Sequence, residues 1–413
     1  MSKRLIVAVV VLSLLLVSIS GACSQSPTPT PTSAPVATVT PTPAPQTVKI
    51  GYGGAFSGSG SAWSLAGMRG FQMAVQDVNN AGGFLVGSQR YMIAPDIIDA
   101  AYNTDGGRAG AERLIFQDNV KMMIMFGTAT CLGAQQVTEP NGALLLAMTG
   151  SNALIQGNNP NTFRITLALD EAGTEIYSYT LKNFPNNTRM ISVASNDPTG
   201  KSVMSSFEPL IATLPYKYLG TQYYEPDTTD FYPFISKIMA NNPDVMNIIS
   251  LGANMGPFLK QLYENGYKGL KVMPVGAGGP GDFTVAGAAA SEGVLYTRMW
   301  DWEGTLVPTI QRDLSRRYLQ MSNGEAMIGY TLDVYDGVNA LVAGMKASGS
   351  TDPAKVRDAL AAGTQWPSAY WGTGQMQMKF GRRSATIYPE IIGTVKSGKM
   401  VNLAVMNPDG TQQ

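Results

Sequence analysis

The stretch KMMIMFGTATCLGAQQVTEPNGALLLAMTGS, residues 121–151, decides the fold. Lys121–Phe126 and Ala143–Ala147 are short apolar runs that read as strands, and Cys131–Glu139 between them reads as a helix. Strand, helix and strand in that order make the βαβ unit of a parallel sheet. Small and hydroxyl-bearing residues follow each strand: Ala129-Thr130-Cys131 after the first, Met148-Thr149-Gly150-Ser151 after the second. In an open parallel sheet ligands sit beyond the carboxyl ends of the strands, where amides and hydroxyls hold a carboxylate or carbonyl. The expected site binds without offering a reactive group.

The same rhythm extends in both directions. Upstream, Val48–Gly51 reads as a strand and Trp63–Asn80 as a helix, with Met68, Phe71, Val75 and Val78 on one face and Gly82-Gly83 ending it. Tyr91–Asp99 is strand-like and Gly107–Gln117 helical. After Phe163-Arg164-Ile165-Thr166 the alternation starts again, with strands over Met190–Ala194, Asp244–Ser250 and Lys271–Val275 and helices over Lys201–Thr213, Asp230–Ala240 and Met255–Asn265. The pattern predicts two doubly wound α/β lobes.

Composition removes several classes of function. The 413 residues carry 29 Lys plus Arg against 29 Asp plus Glu, so no basic field draws nucleic acid. Histidine is absent, which takes away the usual general base near neutral pH and the commonest zinc ligand. The two cysteines, Cys23 and Cys131, are too few for a zinc cluster or a disulfide framework. No GxSxG elbow and no GxxxxGK[ST] loop occurs, and the glycine cluster Gly276–Gly281 reads as a turn rather than a phosphate cradle. No enzymatic activity, metal or cofactor is expected.

The amino terminus reads as an address. Lys3 and Arg4 precede the apolar run Leu5–Ile19, and Ser20-Gly21-Ala22 then lead to Cys23. These are the three regions of a secretory signal over residues 1–22. The small-small-Cys ending resembles a bacterial lipobox, with Ser20 where Leu usually stands, and implies lipidation of Cys23. An uncleaved signal anchor is the other reading. Residues 23–47 form the lipidated end and a Pro/Thr-rich linker with almost nothing to bury. At about 3.1 Å per residue, its 23 residues from Ser24 to Gln46 reach roughly 70 Å.

Four stretches in the folded part carry a family resemblance: IGYGGAFSGSGSAW at 50–63, GFQMAVQDVNNAGG at 70–83, TTDFYPFISKI at 228–238 and YTLDVYDGVNALVAGMKAS at 330–348. In order and spacing the chain resembles the type I periplasmic solute-binding proteins, in their leucine/isoleucine/valine-binding branch. The resemblance implies two lobes joined by three crossing strands near Thr166, Tyr296 and Trp366. Lobe 1 is then 48–166 plus 297–366, and lobe 2 is 167–296 plus 367–413.

By the same resemblance, Trp63 forms an aromatic wall, Thr130 and Cys131 lie in a first carboxylate-binding loop, and Thr149, Gly150 and Ser151 lie in a second. Tyr335 falls on the family's first-lobe tyrosine. Each has a plainer reading: Trp63 as a packing residue, Thr149 and Ser151 as caps, Tyr335 as core and Cys131 as a small buried residue. The second lobe departs from the pattern, with Thr199-Gly200 in place of Tyr-Gly and Leu251 in place of a tyrosine. Where amino-acid binders place an acid for the ammonium, Gly276–Gly281 offers none, and Asp282 just beyond is the substitute. Asp197 is a further polar candidate or a solvated loop acid.

The implied function is that of a lipid-anchored, extracytoplasmic substrate-binding protein of an ABC transporter. It captures a branched-chain amino acid, or a related amide or carboxylate, by lobe closure and passes it to a permease. The alternative is a ligand-sensing domain that reports the solute to a membrane kinase or regulator, and on either reading a monomer is expected.

Overall fold

The computed structural model describes residues 44–413 except 59, 156, 167–168, 250–253, 276–279, 299, 302–308, 371, 378–383 and 386–388. The signal, Cys23 and nearly all of the linker lie outside the described residues. In chain order the first part runs β1 (Gln46–Gly54), α1 (Ser61–Asn80), β2 (Phe84–Val86), β3 (Gln89–Asp99), α2 (Thr104–Glu112), a π-helical turn over Arg113–Gln117, β4 (Met122–Phe126), α3 (Thr128–Thr138), β5 (Leu144–Met148) and β6 (Thr162–Arg164). The middle part runs α4 (Leu169–Asn183), β7 (Arg189–Ser195), α5 (Pro198–Ile211), β8 (Lys217–Tyr224), α6 (Tyr232–Met239), β9 (Val245–Ile249), α7 (Met255–Glu264), β10 (Leu270–Val275), α8 (Pro280–Ala286), α9 (Ala288–Ser291) and β11 (Leu295–Arg298). The last part runs α10 (Thr309–Met321), α11 (Tyr330–Ser348), α12 (Pro353–Ala361), β12 (Gln365–Ser368), β13 (Gly372–Gln377), β14 (Ser384–Ala385), β15 (Glu390–Lys396) and β16 (Lys399–Met406).

These strands build two sheets, one per lobe. The first has the order β12-β13-β14-β6-β5-β4-β1-β3-β2, the second β16-β15-β11-β10-β9-β7-β8. Strands β3, β1, β4, β5 and β6 run parallel, as do β8, β7, β9, β10 and β11. Every residue of β4 and β5 is buried, which is why both read as unbroken apolar runs: helices cover both faces of a parallel sheet.

The winding reverses between β1 and β4 in the first sheet and between β7 and β9 in the second. A crevice opens at the carboxyl ends of the strands where such a reversal occurs. In the first lobe it is bounded by Gly54 and Phe126, in the second by Ser195 and Ile249.

The chain leaves the first sheet after Arg164, leaves the second after Arg298, and returns to the second between Ala385 and Glu390. That third passage is not near Trp366, as expected. Trp366 belongs to β12, which pairs antiparallel with β13 and adds to the edge of the first sheet. Its indole lies flat on Gly374, where a Cβ would come within 2.2 Å of the ring nitrogen. This hairpin keeps residues 365–377 in the first lobe.

Helix α3 begins at Thr128, three residues before the expected start at Cys131. Gly127 makes this possible with φ 92°, a backbone region that side chains disfavour, so β4 turns directly into the helix. Helices α2 and α3 then meet backbone to backbone. A Cβ on Gly133 would lie 1.9 Å from the Thr104 carbonyl oxygen, and one on Gly107 would lie 2.0 Å from that of Thr130. Replacing Gly133 by Ala is expected to cost at least about 2 kcal/mol by prying the helices apart, measured as a lower urea midpoint; an unchanged midpoint would refute this packing.

Candidate functional site

The first lobe brings hydroxyls and amides to its crevice. Thr128 opens α3, and its Oγ1 lies 2.7 Å from Thr149 Oγ1 beyond β5. Thr149 Oγ1 also accepts the Ser151 amide at 3.2 Å, and Ser151 Oγ accepts the Ala153 amide at 3.2 Å. Ser151 Oγ shares a hydrogen bond with Ser202 Oγ of α5, so the carboxyl ends of the two sheets face each other.

A buried arginine fixes this loop. Arg164 is 1% exposed, and its Nη1 donates to the Gly150 carbonyl at 3.1 Å and to Asn152 Oδ1 at 2.7 Å. Its Nε donates to Ser384 Oγ at 3.0 Å.

Helices α1 and α3 point their amino ends at the same crevice. Their preceding residues, Gly60 and Gly127, supply no side-chain cap, so the first-turn amides and the helix dipole favour an anionic or carbonyl oxygen there. Helix α5 differs: Asp197 caps it, with Oδ1 accepting the Gly200 amide at 2.7 Å and Oδ2 accepting Ser195 Oγ at 2.6 Å. Asp197 is therefore committed to its own helix.

An aromatic wall stands beside the hydroxyls. Half-buried Trp63, in the first turn of α1, has its ring centre 6.0 Å from that of Tyr330. Tyr330 in turn lies 5.7 Å from Phe126 at the end of β4, which lies 6.2 Å from Tyr102. The two edge-to-face pairs, Trp63–Tyr330 and Tyr330–Phe126, hold the rings rigid.

The expected contacts divide. Trp63, Thr149, Gly150 and Ser151 gather at the strand ends. The earlier start of α3 draws Thr130 and Cys131 into its first turn, with both side chains bonded inside the lobe. Thr130 Oγ1 donates to the Ala101 carbonyl at 3.0 Å, and Cys131 Sγ contacts the Met125 carbonyl oxygen at 3.0 Å, both residues fully buried. Cys131 packs in the core of the lobe, the plainer reading of this residue, and burial pushes its thiol up.

Tyr335 is also displaced. Its Oη donates to Asp77 Oδ2 at 2.9 Å, an oxygen that also takes Arg317 Nη1 at 2.9 Å. Asp77 lies four turns along α1 from Trp63, so Tyr335 belongs to the packing of α1 on α11. Tyr330, first residue of the same helix, stands against Trp63 instead.

Leu251 lies outside the described residues. Thr199 and Asp282 belong to α5 and α8 by their backbone, and their side chains lie outside the description. Thr128, Tyr330, Arg164 and Ser202 were not singled out as site residues. Only Thr128, a hydroxyl directly after the strand-ending Gly127, carried a local signal.

One acid of α11 pins the first crossover, and a second holds the end of β12. Thr166 Oγ1 donates to Asp333 Oδ2 at 2.9 Å, and Tyr370 Oη donates to Asp333 Oδ1 at 2.7 Å. Asp336 accepts Ser368 Oγ at 2.5 Å and the Ala369 amide at 2.7 Å. Burial outweighs these hydrogen bonds and pushes both carboxyls up to about 7. Among the described residues no group of three or more Cys, Asp or Glu could hold a metal ion.

Comparison with known proteins gives a consistent picture. The family described as periplasmic binding protein matches residues 47–393. An "Amino acid binding protein" of Pseudomonas aeruginosa is 23% identical over 314 residues, covering 75% of this chain and 81% of that protein. A leucine binding protein, LivK, from Thermotoga maritima superposes with TM-score 0.75 at 18% identity, over 88% of this chain and 100% of that one. A solute binding protein of an R. palustris ABC transporter, solved with benzoate, superposes with TM-score 0.72 at 17% identity, over 87% of this chain and 96% of that one.

The buried acids make stability depend on pH. Between the ordinary carboxyl value of 3.8 and about 7, native Asp333 and Asp336 hold protons that the unfolded chain has released. Their contribution is therefore complete below about pH 4 and declines as pH rises through 7. The melting temperature is expected to fall between pH 5 and pH 7.5, and Asp336→Asn to flatten that fall; a profile identical in the variant would remove Asp336 as its source.

Proposed function

The chain belongs to the periplasmic binding protein family, and from that premise we propose that it is the substrate-binding lipoprotein of an ABC transporter. It sits outside the cytoplasmic membrane, captures a small solute between its lobes and delivers it to a permease. One observation carries the reading. On the crevice of the first lobe, the uncapped amino ends of α1 and α3 and the Thr149 hydroxyl stand beside the Trp63–Tyr330 wall. Donors beside a rigid apolar surface suit a solute with a carboxylate or carbonyl at one end and an apolar body at the other.

The Gly150 amide and the Thr149 hydroxyl hold the polar end, the Ser151 amide orienting that hydroxyl, and Trp63 with Tyr330 covers the body. On the family resemblance, Thr199, Leu251 and Asp282 supply the second lobe's side. A buried ammonium without a carboxylate is costly, and neither Leu251–Ala253 nor Gly276–Gly281 contains an acid. The solute class is accordingly a branched-chain amino acid held through Asp282, or an amide or carboxylate without the ammonium. Relatives solved or named with leucine and with benzoate support both ends of that range.

Closure follows from contact with both lobes: a solute that touches the second lobe only in the closed form draws the equilibrium toward it. Lipidation at Cys23 and the Pro/Thr-rich linker keep the receptor at the membrane.

A thermal-shift and calorimetry panel of leucine, isovalerate, isovaleramide, benzoate and benzamide tests the reading. At a hundredfold excess over Kd the binder stabilises the native state by about 2.7 kcal/mol, and Trp63→Ala weakens it at least about tenfold. If no solute of any class raises the melting temperature or compacts the protein in X-ray scattering, the receptor reading fails. Cys23→Ser is expected to move the protein from the membrane fraction to the soluble one; retention there would exclude a lipid anchor on Cys23.

A further inference from the structure

We infer that Ser151 and Ser202 form a closure contact, acting as one unit that holds the lobes together, so that the Ser151 hydroxyl serves closure and not the solute. The inference rests on the lobe-closure reading above.

The Ser151 hydroxyl is fully buried and accepts the Ala153 amide at 3.2 Å, and what remains of its bonding capacity meets Ser202 Oγ. Two of the three hydrogen-bonding positions of this hydroxyl are thereby taken, and Ser151 presents no surface to a solute, whereas Thr149 is 6% exposed.

Neither serine can drift within its own lobe. Arg164 grips the residues on both sides of Ser151, through the Gly150 carbonyl and Asn152 Oδ1. Ser202 rides on α5, whose start is pressed onto the end of β7: a Cβ on Gly200 would lie 2.1 Å from the Ser195 carbonyl oxygen, and Asp197 caps the helix across the same joint. With both ends rigid, the Oγ–Oγ contact reports the relative position of the lobes and nothing more local.

The contact is also wired to the proposed solute loop. Thr149 Oγ1 accepts the Ser151 amide, so a solute oxygen bound at Thr149 acts on the residue that reaches across. Ser202 is thereby a positioning residue, and its loss speeds solute escape without altering entry.

Two measurements on the full chain test this. In S151C/S202C, mild oxidation is expected to give an intramolecular disulfide and a compacted particle in X-ray scattering, since the side chains already touch; Cys131 is buried and does not compete. If both thiols stay free after oxidation, yet titrate after unfolding, the closure contact does not exist.

In parallel, stopped-flow dissociation of leucine and of benzoate is followed in S151A, S202A and S151A/S202A. Each single change is expected to raise the off-rate about threefold to tenfold, and the double change to add nothing further. Additive effects would mean that Ser151 holds the solute by itself, which overturns the assignment. A disulfide that forms in a protein that no solute compacts would leave the contact standing and remove the solute-driven reading instead.

Discussion

A guanidinium taken out of water must find acceptors within the protein, and the acceptors that Arg164 finds organise the first lobe. It sits at the end of β6, where the chain first leaves the sheet. Its donors reach the loop beyond β5 at Gly150 and Asn152, and Ser384 in the strand before the last passage. Two segments, one 12 to 14 residues away and one 220, are thereby held to one side chain. The hydroxyls at the crevice keep their places because this charge cannot be left unpaired, and the crossover beside it inherits the same rigidity through Thr166 and Asp333.

Upon that frame the site is built from neutral donors and rings. On the first lobe's side, hydroxyls and first-turn amides are placed to orient a polar end. Each such hydrogen bond is worth little after its exchange with water, of order 1 kcal/mol. Affinity in a site of this kind accumulates from burial of the apolar body and from the two lobes meeting, and rigid walls spare it the cost of ordering side chains.

The architecture was legible because its signals are periodic. Buried parallel strands must be apolar throughout, and MMIMF and LLLAM could be nothing else. The site was legible to the precision of a strand end and no finer. Thr130 and Cys131 sit deeper than a loop would hold them because one residue, Gly127, turns the chain into α3 earlier than the apolar pattern indicates. Tyr335 failed because helix α11 carries Tyr330 and Tyr335 five residues apart, and only the crossing of α11 over α1 determines which of them meets Trp63. Ser202 and Arg164 had no local signal: their roles come from contacts 51 residues apart for Ser151 with Ser202 and 220 for Arg164 with Ser384. The edge hairpin around Trp366 misled for a related reason, since a strand that ends one sheet and a strand that leads to the next look alike in sequence.

The place where the folded part begins has a bearing on how it is carried. Strand β1 runs parallel to the strands whose carboxyl ends form the crevice, so its start at Gln46 lies at the other pole, nine residues and about 30 Å away. The Ala44 carbonyl accepts Gln89 Nε2 at 2.9 Å, which fastens the chain at that pole. A short attachment there would aim the mouth away from the surface that holds it, like a cup glued by its base.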